Sequence, residues 1–404
     1  MPDHIAGPLL ALVASREQAY LDLLARMVAI DSGSTDPDGV NQLGTMVAAE
    51  LVARSWDVTT EQLAHDGEGG RVGDLVVARI AGRVPATDGG QRVLLLAHLD
   101  TVFEPGEAGR RPFSIDDAGH AHGPGVCDDK SGIAAAIVAV DTCVAAGLDT
   151  WSEVVLALTP DEEIGSPASR GRIAELGAEA DAALCLEAAR ANGDLVSARK
   201  GAADVVIELT GRAAHAGIEP EKGAHALLAA ARLVEQLQAL GGGSDGVTVN
   251  VGQMHGGHRA NIVPDHAELV VDFRAWDTLA FDATHDRIAA LVATEQVSDV
   301  TATMRVISSA PPMEKTAGAA AMVMLARNLA EAIGFDVNDA ATGGAADANT
   351  VAAQGTPTLD GVGPVGGNDH APSEYLDVAS VVPRVAMLAG LISTLGHGPL
   401  DLAG

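Results

Sequence analysis

The chain has 404 residues, 47% hydrophobic and 20% charged, a globular composition too long for one ordinary core, so two domains are expected. Lys and Arg number 25 against 55 Asp and Glu, and a formal charge of −30 argues against nucleic acid and anionic membrane as partners. Aromatic residues make up only 2%, too few for a platform that stacks single-stranded bases, which leaves Ala, Val and Leu to fill the core.

At the start, MPDHIAGPLLALVASREQAY carries Asp3 where a secretory leader has basic residues, and its apolar run is short and flanked by charge. It reads as an amphipathic helix rather than a signal peptide. SREQAYLDLLARMVAI and SGIAAAIVAVDTCVAAG have helical patterns, while DLVVARI, RVLLLAH, EVVLALT and AALCLE read as strands. Their alternation implies an α/β domain with a mostly parallel sheet. The texture changes near residue 200. ADVVIELTG, the helix GAHALLAAARLVEQLQAL, GVTVNVGQ, HAELVVDFRAW, the helix FDATHDRIAALVATEQV and TATMRVIS follow in the order β-α-β-β-α-β, a ferredoxin-like α+β unit over 200–311. GAAAMVMLARNLAEAIG and TPTLDG then resume the first pattern. The expected layout is a discontinuous catalytic domain, 1–199 and 312–404, interrupted by the smaller one. No stretch reaches the ~18 uncharged apolar residues of a membrane span. Cys127, Cys143 and Cys185 lie far apart with no CxxC pair, so reduced thiols and a cytoplasmic location are expected.

Open α/β sheets bind ligands outside the carboxyl ends of their strands. Those ends carry His98 and Asp100 after VLLLA, Glu162 and Glu163 after VVLAL, and Glu187 closing ALCLE. Asp128 sits in HGPGVCDDKSG and His370 in GGNDHAPSEY. Each has a plainer reading: a structural histidine, acids at a solvated helix start, an aspartate cap. Glu187 resists it, since an unpaired carboxylate at the end of an apolar strand is costly. Two imidazoles with three carboxylates suit two divalent ions of zinc type sharing one carboxylate, about 3.5–4 Å apart. Hard-oxygen calcium chemistry does not use imidazole. Glu162 would then serve as general base for the attacking water, with Asp100 orienting the His98 ring.

AHLDTVF, GPGVCDDKSG, TPDEEIGS, LCLEAA, GRAAHAG, RANIVPDHAELVVDFR, TGGAADAN and DHAPSEY occur in one order along nearly the whole chain. In these motifs it resembles the dinuclear zinc amidohydrolases that include glutamate carboxypeptidase, aminoacylase, acetylornithine deacetylase and succinyl-diaminopimelate desuccinylase, with glutamate carboxypeptidase the closest-looking branch. The resemblance implies that Asp128 bridges two metals, zinc first, with cobalt or manganese as alternatives. His98 and Glu187 would complete one site and Glu163 and His370 the other, with a cis peptide at Asp128–Asp129. It also implies that the inserted domain is a lid that forms a homodimer, with His215 reaching across as an oxyanion donor. Arg274 would take a free substrate carboxylate, assisted by Asn261 and by Gly344 of TGGAADAN. The implied activity is hydrolysis of the amide joining an acyl or aminoacyl group to a C-terminal amino acid. The alternative is an aminoacylase or deacetylase preferring neutral residues, because the basic pocket that a glutamate side chain needs is not placed. Arg199 and Lys200 are merely near in sequence. A non-catalytic metal-binding relative would lack a ligand or the base, and all seven positions are filled.

Overall fold

Residues 2–63, 70–244 and 246–400 are described by the structure, a computed structural model. The four apolar runs form the heart of a six-stranded sheet. Its order is Asp57–Glu61, Leu75–Ala81, Glu153–Thr159, Arg92–His98, Ala182–Cys185 and Thr358–Leu359. The last four strands run parallel to one another, the second is antiparallel to them, and the first is antiparallel to the second. Helices cover the parallel part, so Val93, Leu94, Leu95 and Leu96 are all buried and the run shows no polar alternation.

The helix Lys130–Ala146 is apolar almost all round because it is enclosed: every residue from Lys130 to Val140 is buried. It packs on the helix Val378–His397. That helix is long and apolar enough to cross a membrane by length and composition, yet 67% of its apolar window is buried inside this unit. Two glycines let it sit close: a Cβ at Gly390 would stand 2.7 Å from Leu329 Cδ2, and one at Gly396 2.5 Å from Trp151 Cβ. The amphipathic start becomes two helices, Pro2–Ala14 and Glu17–Val28, broken at Ser15 and Arg16.

The chain divides into two units. The larger comprises Met1–Ser197, Lys315–Ala341 and Ala346–Gly404, and the smaller comprises Ala198–Glu314 and Thr342–Ala345. Gly344 thus belongs to the smaller unit. That unit is a four-stranded antiparallel sheet ordered Thr248–Gly256, His266–Ala275, Gly201–Thr210 and Thr301–Ala310, packed against the helices Ala226–Gln238 and Thr278–Val292. Along His266–Ala275, Ala267, Leu269, Val271, Phe273 and Ala275 are buried, while Glu268, Val270, Asp272 and Arg274 alternate with them on the other face.

Candidate metal centre

Three residues that end or follow parallel strands, His98, Glu163 and Glu187, converge with Asp128 and His370 from two loops. His98 closes the strand Arg92–His98 and is 2% exposed. Its Nε2 lies 2.9 Å from Asp128 Oδ1 and 3.7 Å from Glu187 Oε1. On the other side, His370 Nε2 lies 3.3 Å from Asp128 Oδ2 and 3.0 Å from Glu163 Oε2. The donor atoms of His98, Asp128 and Glu187 lie within 4.8 Å of one another, as do those of Asp128, Glu163 and His370. The two oxygens of Asp128 therefore face two donor sets, each with one imidazole and one further carboxylate.

Local backbone explains the placement. Gly125 has φ 70°, and a Cβ there would come within 2.7 Å of Thr101 Cγ2, so the turn before Asp128 needs glycine. The Asp128–Asp129 peptide is cis. Asp129 is the N-cap residue of the helix Lys130–Ala146 but makes no side-chain cap bond, so capping does not account for the acid pair. His370 holds φ 64°, in the left-handed region that few non-glycine residues adopt.

Asp100 lies beyond the strand end, not on it. His98 Nδ1 is 2.9 Å from the Asp100 backbone carbonyl and 3.5 Å from Oδ1. A carbonyl only accepts, so Nδ1 carries a proton, which leaves Nε2, beside Asp128 and Glu187, as the nitrogen a cation would take. The Asp100 carboxylate is engaged with the neighbouring turn. It accepts the N–H groups of Glu162 and Glu163, each at 3.1 Å, and the Ser34 hydroxyl at 2.6 Å. Asp347 supports the same turn, accepting from Thr159 Oγ1 at 2.8 Å and from the Ser166 hydroxyl. Sequence reasoning reaches neither Ser34 nor Asp347; only the latter has a signal, its place inside TGGAADAN.

Burial raises the Glu162 carboxyl well above its ordinary range, and the charge of Glu187 adds to this. Burial likewise pushes Glu163 up to about 7, helped by Asp128. The hydrogen bond with Asp128 takes His370 up to about 9. Burial opposes ionisation of Asp128, but its hydrogen bonds with His370 and His98 hold it well below the usual carboxylate range.

In the smaller unit, His215 and Asn261 are neighbours: His215 bridges to Ile262, and Ala216 N–H donates to the Asn261 carbonyl at 3.0 Å. Both are exposed. His215 Nδ1 accepts Gly217 N–H at 3.1 Å, so the neutral ring carries its proton on Nε2. Arg274 lies at the opposite end of the sheet. Its Nε and Nη2 donate to Asp272 at 3.0–3.2 Å, and its Nη1 donates to the Gly343 carbonyl at 2.8 Å. Next to it, the Gly344 carbonyl accepts from Arg199 at 3.1 Å. Lys200 donates to the Gly246 carbonyl and lies 5.2 Å from the Trp276 ring centre. His266, paired with Thr210 just ahead of the His215 loop, is eight residues from Arg274 along one strand, about 26 Å. One chain does not bring His215 and Asn261 to Arg274.

Comparison with known proteins agrees with this fold. Residues 94–394 match the family model described as Peptidase family M20/M25/M40. Carboxypeptidase G2 of Pseudomonas sp. (strain RS-16) is 30% identical over 389 residues, covering 95% of this chain and 91% of its own. Succinyl-diaminopimelate desuccinylase of Stenotrophomonas maltophilia (strain R551-3) is 28% identical over 402 residues, 93% of this chain and 99% of its own. Among solved structures, a tripeptidase from Staphylococcus aureus superposes with TM-score 0.77 at 23% identity, covering 94% of this chain and 98% of its own, which bears on fold alone. On the matched span and these relatives, the chain belongs to peptidase family M20/M25/M40, whose members are metal-dependent peptidases and amidohydrolases.

Proposed function

We propose that the protein hydrolyses the amide bond between an acyl or aminoacyl group and a C-terminal amino acid, as a carboxypeptidase of the glutamate-carboxypeptidase type. The reading rests on Asp128, whose two oxygens face separate imidazole–carboxylate pairs with Glu162 alongside. Those donors fit two zinc-type ions. His98, Asp128 and Glu187 would hold one; Asp128, Glu163 and His370 would hold the other. When bound, the pair supplies Lewis acidity, polarising the amide carbonyl and acidifying the attacking water. Glu162 takes that water's proton and passes it to the leaving nitrogen, and burial strengthens it as a base. Asp100 keeps Glu162, Glu163 and the His98 ring in register through its bonds to all three.

Arg274, held in place by Asp272 and Gly343, directs its remaining N–H donors to the substrate's free carboxylate, beside Gly344. A substrate the size of a dipeptide does not span about 26 Å. We therefore infer a homodimer through the smaller unit, in which His215 and Asn261 of one copy serve the substrate bound at Arg274 of the other. The Nε2–H of His215 would donate to the oxyanion.

A second reading, an N-acyl-amino-acid amidohydrolase preferring neutral residues, is favoured by one observation. The charged groups of Arg199 and Lys200 are turned to the carbonyls of Gly344 and Gly246 rather than presented to a side-chain carboxylate. The names of the two relatives, a carboxypeptidase and a desuccinylase, span both readings. A panel of N-acyl amino acids and dipeptides, including acyl-glutamates, assayed for released amino acid with and without chelator, tests the proposal. Chelator-sensitive release is expected, and the preferred C-terminal residue separates the readings. Release that survives full metal removal, or none from any substrate, would overturn it.

A further inference from the structure

Glu374 is a carboxylate that the chemistry above leaves unused. It lies four residues past His370 and is fully buried. Its carboxylate accepts three backbone N–H bonds, all from the turn that ends at Asp128. Gly125 donates to Oε2 at 2.9 Å, while Cys127 and Asp128 donate to Oε1 at 2.8 and 3.0 Å. A buried N–H left without a partner is costly, so removing this acceptor strands three donors of one turn. Glu374 is equally fixed to its own loop. Ala371 N–H donates to the Asn368 carbonyl and Glu374 N–H to the Ala371 carbonyl, both at 3.0 Å, so two linked turns span His370 to Glu374. Beyond it, Tyr375–Asp377 pairs with Gly366–Gly367, and a Cβ at Gly366 would stand 2.2 Å from Cys127 Sγ. The two loops meet at backbone distance.

We infer that Glu374 is the positioning residue that couples the two halves of the metal centre, locking the backbone of Asp128 to the loop that carries His370. The inference rests on the dinuclear reading of the site. Asp128 aims one oxygen at each donor set, so a shift of its backbone misplaces a donor on both sides at once. Loss of Glu374 therefore weakens both ions together. A glutamine in its place has one acceptor oxygen and must turn an NH2 group onto at least one of the three donors, so it keeps the shape and loses part of the lock.

The test uses metal-free protein titrated with cobalt(II), followed by visible absorption and calorimetry, with circular dichroism to confirm folding. Wild type should take up two ions. Glu374→Ala should bind both about 10–100-fold more weakly, the range seen when groups behind metal ligands are removed, and Glu374→Gln should fall between. Leu329→Ala, a cavity in the core, should lower stability and keep wild-type affinity. Folded Glu374 variants with wild-type affinity for both ions would overturn the inference, and weakening of one ion alone would overturn the coupling. If Glu374→Ala does not fold, Glu374→Gln decides by the same criteria. A wild type that takes up no cobalt would bring down the metal-centre reading itself, and this inference with it.

Discussion

Glu162 and Glu163 are adjacent and share the support of Asp100, yet they are assigned opposite duties, and substitution separates them. Glu162→Gln removes the proton acceptor and keeps the shape, so turnover should fall by roughly 10²–10⁴-fold while elemental analysis finds two ions still bound. Near-normal turnover with full metal content would take Glu162 out of the mechanism. Metal uptake should also depend on pH in a set direction. In the metal-free protein His370 is raised to about 9 and Glu163 to about 7, so at neutral pH His370 holds a proton and Glu163 is about half protonated. A cation must displace those protons. Affinity should therefore climb between roughly pH 6 and 9, with proton release on loading; calorimetry in buffers of different ionisation enthalpy reads this, and a flat profile would contradict it. The donors are legible because each follows an apolar run or sits in a glycine-framed loop. Ser34 is not, since its bond to Asp100 spans sixty-six residues with no pattern to announce it.

Among the elements, the helix Val378–His397 bears a buried charge. Arg384 is 2% exposed and donates to the carbonyls of Gly363 at 3.0 Å, Gly193 at 3.0 Å and Gly361 at 2.6 Å. Burial lowers it to about 10, which leaves it charged at neutrality. Arg384→Met would leave those carbonyls dry at about 1–3 kcal/mol each, so a loss of at least about 3 kcal/mol is expected in denaturant unfolding. A loss under about 1 kcal/mol would mean that water replaces the guanidinium. The same residue shows why this helix escapes a reading of the sequence: Pro383 and Arg384 interrupt its apolar pattern. The parallel strands escape nothing, because burial on both faces writes them as unbroken Val and Leu runs. The strands Ser114–Ile115, His120–His122, Gly366–Gly367 and Tyr375–Asp377 form a second sheet around the His370 loop, and at two or three residues they are too short to carry a period. The helix Pro37–Ala53 opens with an Asp36 cap and Pro37, but Gly39 and Gly44 blur its apolar stripe.

For the molecule as a whole, the proposed exchange of His215 between copies can be tested by mixing two inactive variants. Glu162→Gln and His215→Ala chains each spoil every site in their own dimers. In a mixed dimer one site has its own Glu162 and the partner's His215. Random exchange should restore activity to about a quarter of wild type. Demonstrated subunit exchange without recovery would rule out the in-trans role. The insertion of the smaller unit has a further consequence, which concerns time. Ala198–Glu314 is one continuous stretch, whereas the larger unit is assembled from segments on either side of it. Glu163 and Glu187 leave the ribosome before the smaller unit and His370 after it. At about 5–20 residues per second, roughly 10–40 s pass between Glu163 and His370. When the last strand of the smaller unit's sheet, Thr301–Ala310, has been made, the parallel sheet still lacks its Thr358–Leu359 strand and the helix Val378–His397. Until His370 has emerged, a nascent chain can present only the donor set of His98, Asp128 and Glu187, so the proposed second ion can be taken up only after the smaller unit has been made.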